Sequence, residues 1–454
     1  MNTPICDFVR EYAAGNPVRM HMPGHKGKTL LGPEMLDVTE IDGADVLYSS
    51  RSIIRESEEN AAGLFGTGRT VYSAEGSSLC IRAMLYLALL SAREKGIRPV
   101  LLAGRNAHRT LMTAAALLDL EIDWIMPEAG EGLLSCTVTA EKLEKALKQQ
   151  KYTAVYLTSP DYLGRMTDIR MAAEVCHRYG VPLLVDNAHG AYLRFFPDMH
   201  PISLGADACC DSAHKTLSCL TGAAYLHLSK DAPQNWAGQA EQAMDLFAST
   251  SPSWLILQSL DRMNRELSEN FPDRIRGAAE RLGKIRKTLK KDGWELIGDE
   301  PMKLTIRPFS RGYTGEELMK ALKDNGIECE FADREHVVLM PSAETTEEEW
   351  KRLEEALRNA DHSAARNDRD GSLLPGVPPA FVPERVMSIR EAMFSPRETL
   401  PVSKAIGRIL ADACVSCPPA VPVLTAGERI TKEAAACMQY YGINRCDTVS
   451  VSVK

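Results

Sequence analysis

Val181-Pro182-Leu183-Leu184-Val185-Asp186-Asn187-Ala188-His189-Gly190, and after it Ala206-Asp207-Ala208-Cys209-Cys210-Asp211-Ser212-Ala213-His214-Lys215-Thr216, decide the fold. Each begins as a short apolar run of strand length and ends in polar residues. In an open α/β sheet, ligand groups stand at the carboxyl ends of the strands, and Asp186 is delivered there. An aspartate at that point suits a protonated ring nitrogen. The lysine amine of Lys215 suits an imine with an aldehyde, while Ser212 and His214 can donate to phosphate oxygens. Asp186 and Lys215 would then hold opposite ends of one aromatic electron sink, which describes a pyridoxal phosphate (PLP) site. Taken singly, a strand-end aspartate is often a loop cap, and His-Lys is a common surface pair.

Working outward, Val100 to Ala103, Ile122 to Met126 and Ala154 to Thr158 are further strand-like runs. They alternate with helical stretches such as Leu111 to Leu118 and Ile169 to Tyr179. From Thr70 to Gly222 this rhythm predicts an α/β fold, a mainly parallel sheet covered by helices. Ser73-Ala74-Glu75-Gly76-Ser77-Ser78 precedes a long apolar helix, and its small residues let backbone N–H groups approach a phosphate. Ala74, Glu75 and Gly76 are therefore cofactor candidates, although a plain N-capped core helix reads the same way. The Glu75 carboxylate must point away from any phosphate. His108 opens the helix that follows Arg105-Asn106-Ala107, either as a cap or stacked on a flat ring.

A polar helical region from about Arg262 to Lys291 bridges to a smaller α/β unit, roughly Trp294 to Ala360. Thr314-Gly315-Glu316-Glu317 and Thr346-Glu347-Glu348-Glu349 both read as capping boxes there. The expected divisions are 1–65, an N-terminal arm; 66–290, the large domain with its bridging helices; 291–360, the small α/β domain; 361–380, a linker; and 381–454, a C-terminal domain.

The chain has 454 residues, 44% of them hydrophobic, and a formal net charge of -8. That is ample for a large core, and the lack of a long basic run argues against nucleic-acid binding. No basic leader with an apolar core and no run of about 20 apolar residues is present, so cytoplasmic residence is the expectation. Twelve cysteines are scattered in the manner of reduced thiols. Cys414-Val415-Ser416-Cys417 is the one CxxC and lacks a second half for a zinc site. His21 and His25 flank Pro23 and Gly24, which predicts a shaped loop in place of a metal-binding helix; no metal is expected. Met22 stands where a Walker loop ending in Gly27-Lys28-Thr29 needs its first glycine, and no GxGxxG follows a strand.

His21-Met22-Pro23-Gly24-His25-Lys26-Gly27, Asp37-Val38-Thr39-Glu40, Gly43-Ala44-Asp45, Thr158-Ser159-Pro160-Asp161-Tyr162-Leu163-Gly164, Ser251-Pro252-Ser253-Trp254 and Pro418-Pro419-Ala420-Val421-Pro422 with Gly427-Glu428 occur in that order. Together they resemble the bacterial Orn/Lys/Arg decarboxylases, in the aspartate-aminotransferase-like fold of PLP enzymes (fold type I). The resemblance implies that Lys215 carries PLP, Asp186 pairs with its pyridine nitrogen and His108 stacks on its ring. It also places His189 near the ring, Ser212 and His214 on the cofactor, and Thr250 or Ser251 at the phosphate of a neighbouring subunit, which makes a homodimer the minimum assembly. Three departures stand out: Asn187 for the usual Glu of Asp-Glu-Ala-His, Ala213 for Thr before His-Lys, and Ser73-Ala74-Glu75 for the common Gly-Ser-Thr loop.

The activity implied is decarboxylation of a basic amino acid to a polyamine precursor, with arginine first by resemblance to the shorter members. Lys215 or His189 would return the proton to Cα, and burial is expected to keep the lysine amine neutral. An aminotransferase or lyase of the same fold is the alternative, for which Arg307 and Arg334 are carboxylate-clamp candidates by type. An inactive regulatory homologue is a third reading. Glu391, Glu398 and Glu428 are open candidates for a cationic side chain.

Overall fold

The computed structural model describes residues 1–128, 131–364, 381–413 and 420–450. The Cys414/Cys417 pair, Pro418, Pro419 and residues 365–380 of the expected linker lie outside them. In chain order the strands are β1 (Arg69–Ser73), β2 (Val100–Gly104), β3 (Glu121–Ile125), β4 (Ala154–Thr158), β5 (Leu183–Asp186), β6 (Ala208–Asp211), β7 (Ala224–Leu228), β8 (Glu295–Ile297), β9 (Leu304–Arg307), β10 (Phe331–Ala332), β11 (Val337–Leu339), β12 (Arg397–Pro401) and β13 (Arg445–Val449).

The chain divides into two units, Met1–Pro99 with Thr139–Ser159 and Asp168–Ile275, and Val100–Val138 with Pro160–Thr167 and Arg276–Lys454. In the first unit five strands run side by side in the order β1-β7-β6-β5-β4. β4, β5 and β6 are parallel, whereas β7 runs against both β6 and β1. β1, β5, β6 and β7 are buried at every residue, as a sheet covered on both faces requires. The helix Ser77–Glu94 buries ten of its residues, Leu79 to Ala92, and belongs to this core.

Predicted and observed strands agree with small offsets. β4 spans the expected Ala154–Thr158. β5 begins at Leu183, not Val181, because Pro182 has no N–H to donate, and its carbonyl accepts from the Val155 N–H. The bridging helical region expected from about Arg262 to Lys291 consists of two helices, Trp254–Ser268 and Phe271–Lys291. Pro272 explains the break: it lacks the donor a helix interior needs but fits a first turn.

In the second unit β2 and β3 are parallel, and β8 to β11 form an antiparallel sheet in the order β10-β11-β9-β8. Both expected capping boxes are present: Glu317 N–H donates to Thr314 and Thr314 N–H to Glu317, and Thr346 and Glu349 do the same. A third, Ser388 with Glu391, was not anticipated. β12 and β13 pair over a separate core that includes Val402, Leu410, Ile430 and Met438. Among the described residues, no helix is long and apolar enough to cross a membrane.

Candidate active site

Asp186 is the last residue of β5 and is 3% exposed. Three donors fix its carboxylate: the Tyr156 hydroxyl at 3.0 Å, the Ala188 N–H at 3.2 Å and the Cys210 thiol at 3.5 Å. Tyr156 comes from β4 and Cys210 from β6, so strands on both sides hold a group that β5 delivers. Burial, and then Asp186 beside them, push the Tyr156 phenol and the Cys210 thiol well above their ordinary values, so both stay protonated and able to donate. Sequence reasoning passed over Tyr156; a phenol amid Ala154, Val155 and Leu157 was the available signal.

Lys215 sits in the short helix Ala213–Thr216 that follows β6. Its Nζ lies 3.1 Å from Nε2 of His189, three residues beyond Asp186. β5 and β6 are in register with Asp186 opposite Cys210, so the turn after one strand meets the helix after the other. The buried lysine expected from the sequence is not observed: Lys215 is exposed in the single chain, because its helix lies beyond the strand end and not inside the sheet.

Ser212 is buried and donates its hydroxyl to Ser77 at 2.8 Å, joining the lysine segment to the first residue of the helix Ser77–Glu94. Gly76 has φ +73°, a conformation that favours glycine, and an added Cβ would reach His214. The Gly76 N–H is committed to the Gly222 carbonyl at 2.7 Å, and the Glu75 N–H to the Ser73 hydroxyl at 3.1 Å. Neither supplies the free backbone donor expected for phosphate, because the loop uses them to hold its own turn. The Glu75 carboxylate takes the Ser249 N–H at 2.7 Å, which answers how an acid is tolerated here. The same bond ties the segment carrying the exposed Thr250 and Ser251 to the loop of its own chain. His214 donates Nδ1–H to the Ala223 carbonyl, and burial lowers its pKa.

His108 lies in the second unit as the N-cap of Arg109–Leu118, its Nδ1 accepting from the Thr110 N–H at 3.2 Å. Other candidates are committed locally. Glu391 closes a capping box, Glu398 pairs with Arg408 at 3.1 Å, and Glu428 is buried against Arg105 at 2.8 Å. Arg307 faces Glu295 and Glu335, and Arg334 lies over the Tyr440 ring. His25 bonds Asp37 and His21 meets Tyr12, within the turns expected of a shaped loop.

The donor set of the first unit fits PLP: a carboxylate held by three donors, an amine beside an imidazole, and serine hydroxyls at a glycine-shaped helix start. Residues 3–305 match the Orn/Lys/Arg decarboxylase major domain, and residues 379–446 the Orn/Lys/Arg decarboxylase C-terminal domain. The chain belongs to the Orn/Lys/Arg decarboxylase family.

As a member of that family it is a PLP-type decarboxylase in fold and class. It is 29% identical over 469 residues to an arginine decarboxylase of Bacillus subtilis (strain 168), covering 95% of this chain and 92% of that one. The E. coli constitutive lysine decarboxylase superposes with a TM-score of 0.78 at 18% identity, over 99% of this chain and 82% of that one. A serine palmitoyltransferase variant of S. paucimobilis solved with a PLP–myriocin aldimine bound gives 0.53 at 14% identity, over 68% and 77%. For this Orn/Lys/Arg decarboxylase these likenesses to solved structures establish the fold, the one expected from the resemblance.

Proposed function

We propose that this decarboxylase holds PLP on Lys215 and removes the α-carboxylate of arginine, in preference to lysine or ornithine. The observation that carries the reading is the meeting of Lys215 Nζ with His189 Nε2 at 3.1 Å, next to an Asp186 held from three sides. When bound, PLP supplies an electrophilic carbon and a ring that accepts the electrons left as carbon dioxide departs.

The chain's residues do the rest. Asp186 would pair with the ring nitrogen, and its three donors keep the carboxylate from turning away. Lys215 would anchor the cofactor, and its Nζ and His189 Nε2, 3.1 Å apart, are the two groups that would hold the proton returned to Cα to give the amine. Ser212 and the serines at Ser77–Ser78, with His214 beside them, would hold the phosphate end. A phosphate near His214 would favour its cation, against the lowering that burial imposes.

Arginine follows from the relative's name, and polyamine supply in the cytoplasm from the family. A homodimer is supported by the segment between Val18 and Leu31, where Val18, Met20, Leu30 and Leu31 are 81–87% exposed. Apolar side chains this exposed and this close in sequence suit a protein interface.

The test is carbon dioxide release from arginine, lysine and ornithine by the PLP-loaded protein, with sedimentation to find its mass. Release fastest from arginine, by a dimer or larger, is expected. Keto acid in place of carbon dioxide would move the reading to an aminotransferase, and PLP absorbance without turnover on any amino acid to an inactive homologue.

A further inference from the structure

Asn187 and Asp211 are the residues immediately after Asp186 and immediately before Ser212, and both are completely buried. Asn187 Nδ2 donates to Asp211 Oδ1 at 2.7 Å. The bond crosses between the ends of β5 and β6, which lead to His189 and Lys215 respectively. On its other oxygen Asp211 meets His200 Nε2 at 3.0 Å and His227 Nε2 at 3.5 Å. His227 is fixed in turn through Nδ1 by Thr70, which bonds Thr67.

Asn187 has little freedom. Its N–H donates to the Cys210 carbonyl at 3.1 Å, and a Cβ on Gly190 would fall 2.1 Å from its Oδ1. That Oδ1 is buried without a hydrogen-bond partner, a cost carried in the core for the sake of the bond made by Nδ2. The Glu expected at 187 by resemblance would put a second carboxylate against Asp211, so the two residues form a matched pair. The nitrogen, sulfur and oxygen atoms of His200, Cys209 and Asp211 lie within 4.8 Å of one another, a grouping the bonds to Asp211 already account for.

We propose that the Asn187–Asp211 bond is a positioning tie that sets Asp186 against the Ser212–Lys215 segment, with His200 holding the Asp211 end. It acts through Asp186 and Lys215 and touches neither substrate nor cofactor. The inference rests on the PLP reading above.

The test compares Asn187→Ala, Asn187→Asp, Asp211→Asn and the swapped double variant N187D/D211N. PLP affinity is read by visible absorbance, kcat and KM from carbon dioxide release, and thermal midpoints without PLP. Asn187→Ala and Asn187→Asp should each weaken PLP binding roughly tenfold or more, the scale of losing a buried bond to a charged group, and lower kcat while KM changes little. The swap restores an amide against a carboxylate with the donor reversed, so it should recover much of the Asn187→Asp loss. Wild-type PLP affinity and kcat in Asn187→Ala would overturn the tie, as would strictly additive losses in the swap. If Asn187→Ala does not fold, the swap decides alone through its thermal midpoint and PLP affinity. Wild-type protein that neither binds PLP nor releases carbon dioxide would instead overturn the PLP reading, and the tie with it.

Discussion

Tyr156→Phe removes one oxygen from the core and one donor from Asp186. Tyr156 is fully buried, so the phenylalanine ring fills the same space and no sizeable cavity forms. What is lost is the 3.0 Å bond from its hydroxyl, which leaves Asp186 Oδ2 without that donor, while the Ala188 N–H and the Cys210 thiol remain on Oδ1. At 3% exposure the carboxylate cannot turn to water for compensation. A hydrogen bond to a charged group is worth about 1.5–3 kcal/mol, and about 1.4 kcal/mol is tenfold, so the loss should be roughly 10- to 100-fold. It should fall on PLP affinity and kcat, because Tyr156 touches Asp186 and nothing further out, and KM for arginine should stay within about threefold. Visible-absorbance titration with PLP and carbon dioxide release measure the two parts. Cys210→Ala is the control, since a 3.5 Å thiol bond is weak and its removal should cost little. Tyr156→Phe with wild-type PLP affinity and kcat would refute the assignment of Asp186 to the ring.

Lys215→Ala should abolish carbon dioxide release and leave the thermal midpoint nearly unchanged, because the side chain is exposed; retained turnover would remove Lys215 from the mechanism. Gly222→Ala places a Cβ 2.8 Å from the Ala74 carbonyl at φ +100°, which should weaken PLP binding severalfold, from about 1–2 kcal/mol of left-handed backbone strain; unchanged affinity would show that the Ala74–Gly76 turn does not position Ser77 and Ser212 for the phosphate. Glu300 is buried, and burial pushes its carboxyl up to about 7 from an ordinary value near 4.5. The folded state therefore holds a proton that the unfolded state releases, so its contribution is full below pH 4.5 and lost as pH rises through about 7, by roughly 3 kcal/mol in all. Denaturant melts at several pH values should show that slope in the wild type and a flatter one in Glu300→Gln; equal slopes would place the titration elsewhere.

Strands, caps and the carriers of chemistry were legible because each is a local signal. Apolar runs of strand length located β4 to the residue and β5 and β6 to within two, and Thr-x-x-Glu spacing located two capping boxes. Asp186 and Lys215 stood out as polar residues at the ends of apolar runs. Pro272 was equally visible in the sequence, and the bridging helical region divides into two helices just before it. Asp211, His200 and His227 could not be read, since their roles depend on partners 11 to 24 residues away.

By itself the sequence determined which segments become strands and helices and which side chains arrive at strand ends, because period, proline and capping act over a few residues. Only the tertiary structure decided where each of those side chains points. Strand pairing turned the Tyr156 hydroxyl onto Asp186 and Asn187 onto Asp211, and the meeting of two loops turned the Glu75 carboxylate onto the Ser249 N–H. It also left Lys215 exposed beside His189. In a buried sheet most polar atoms find a partner, and the register of the strands, not the order of the residues, supplies it.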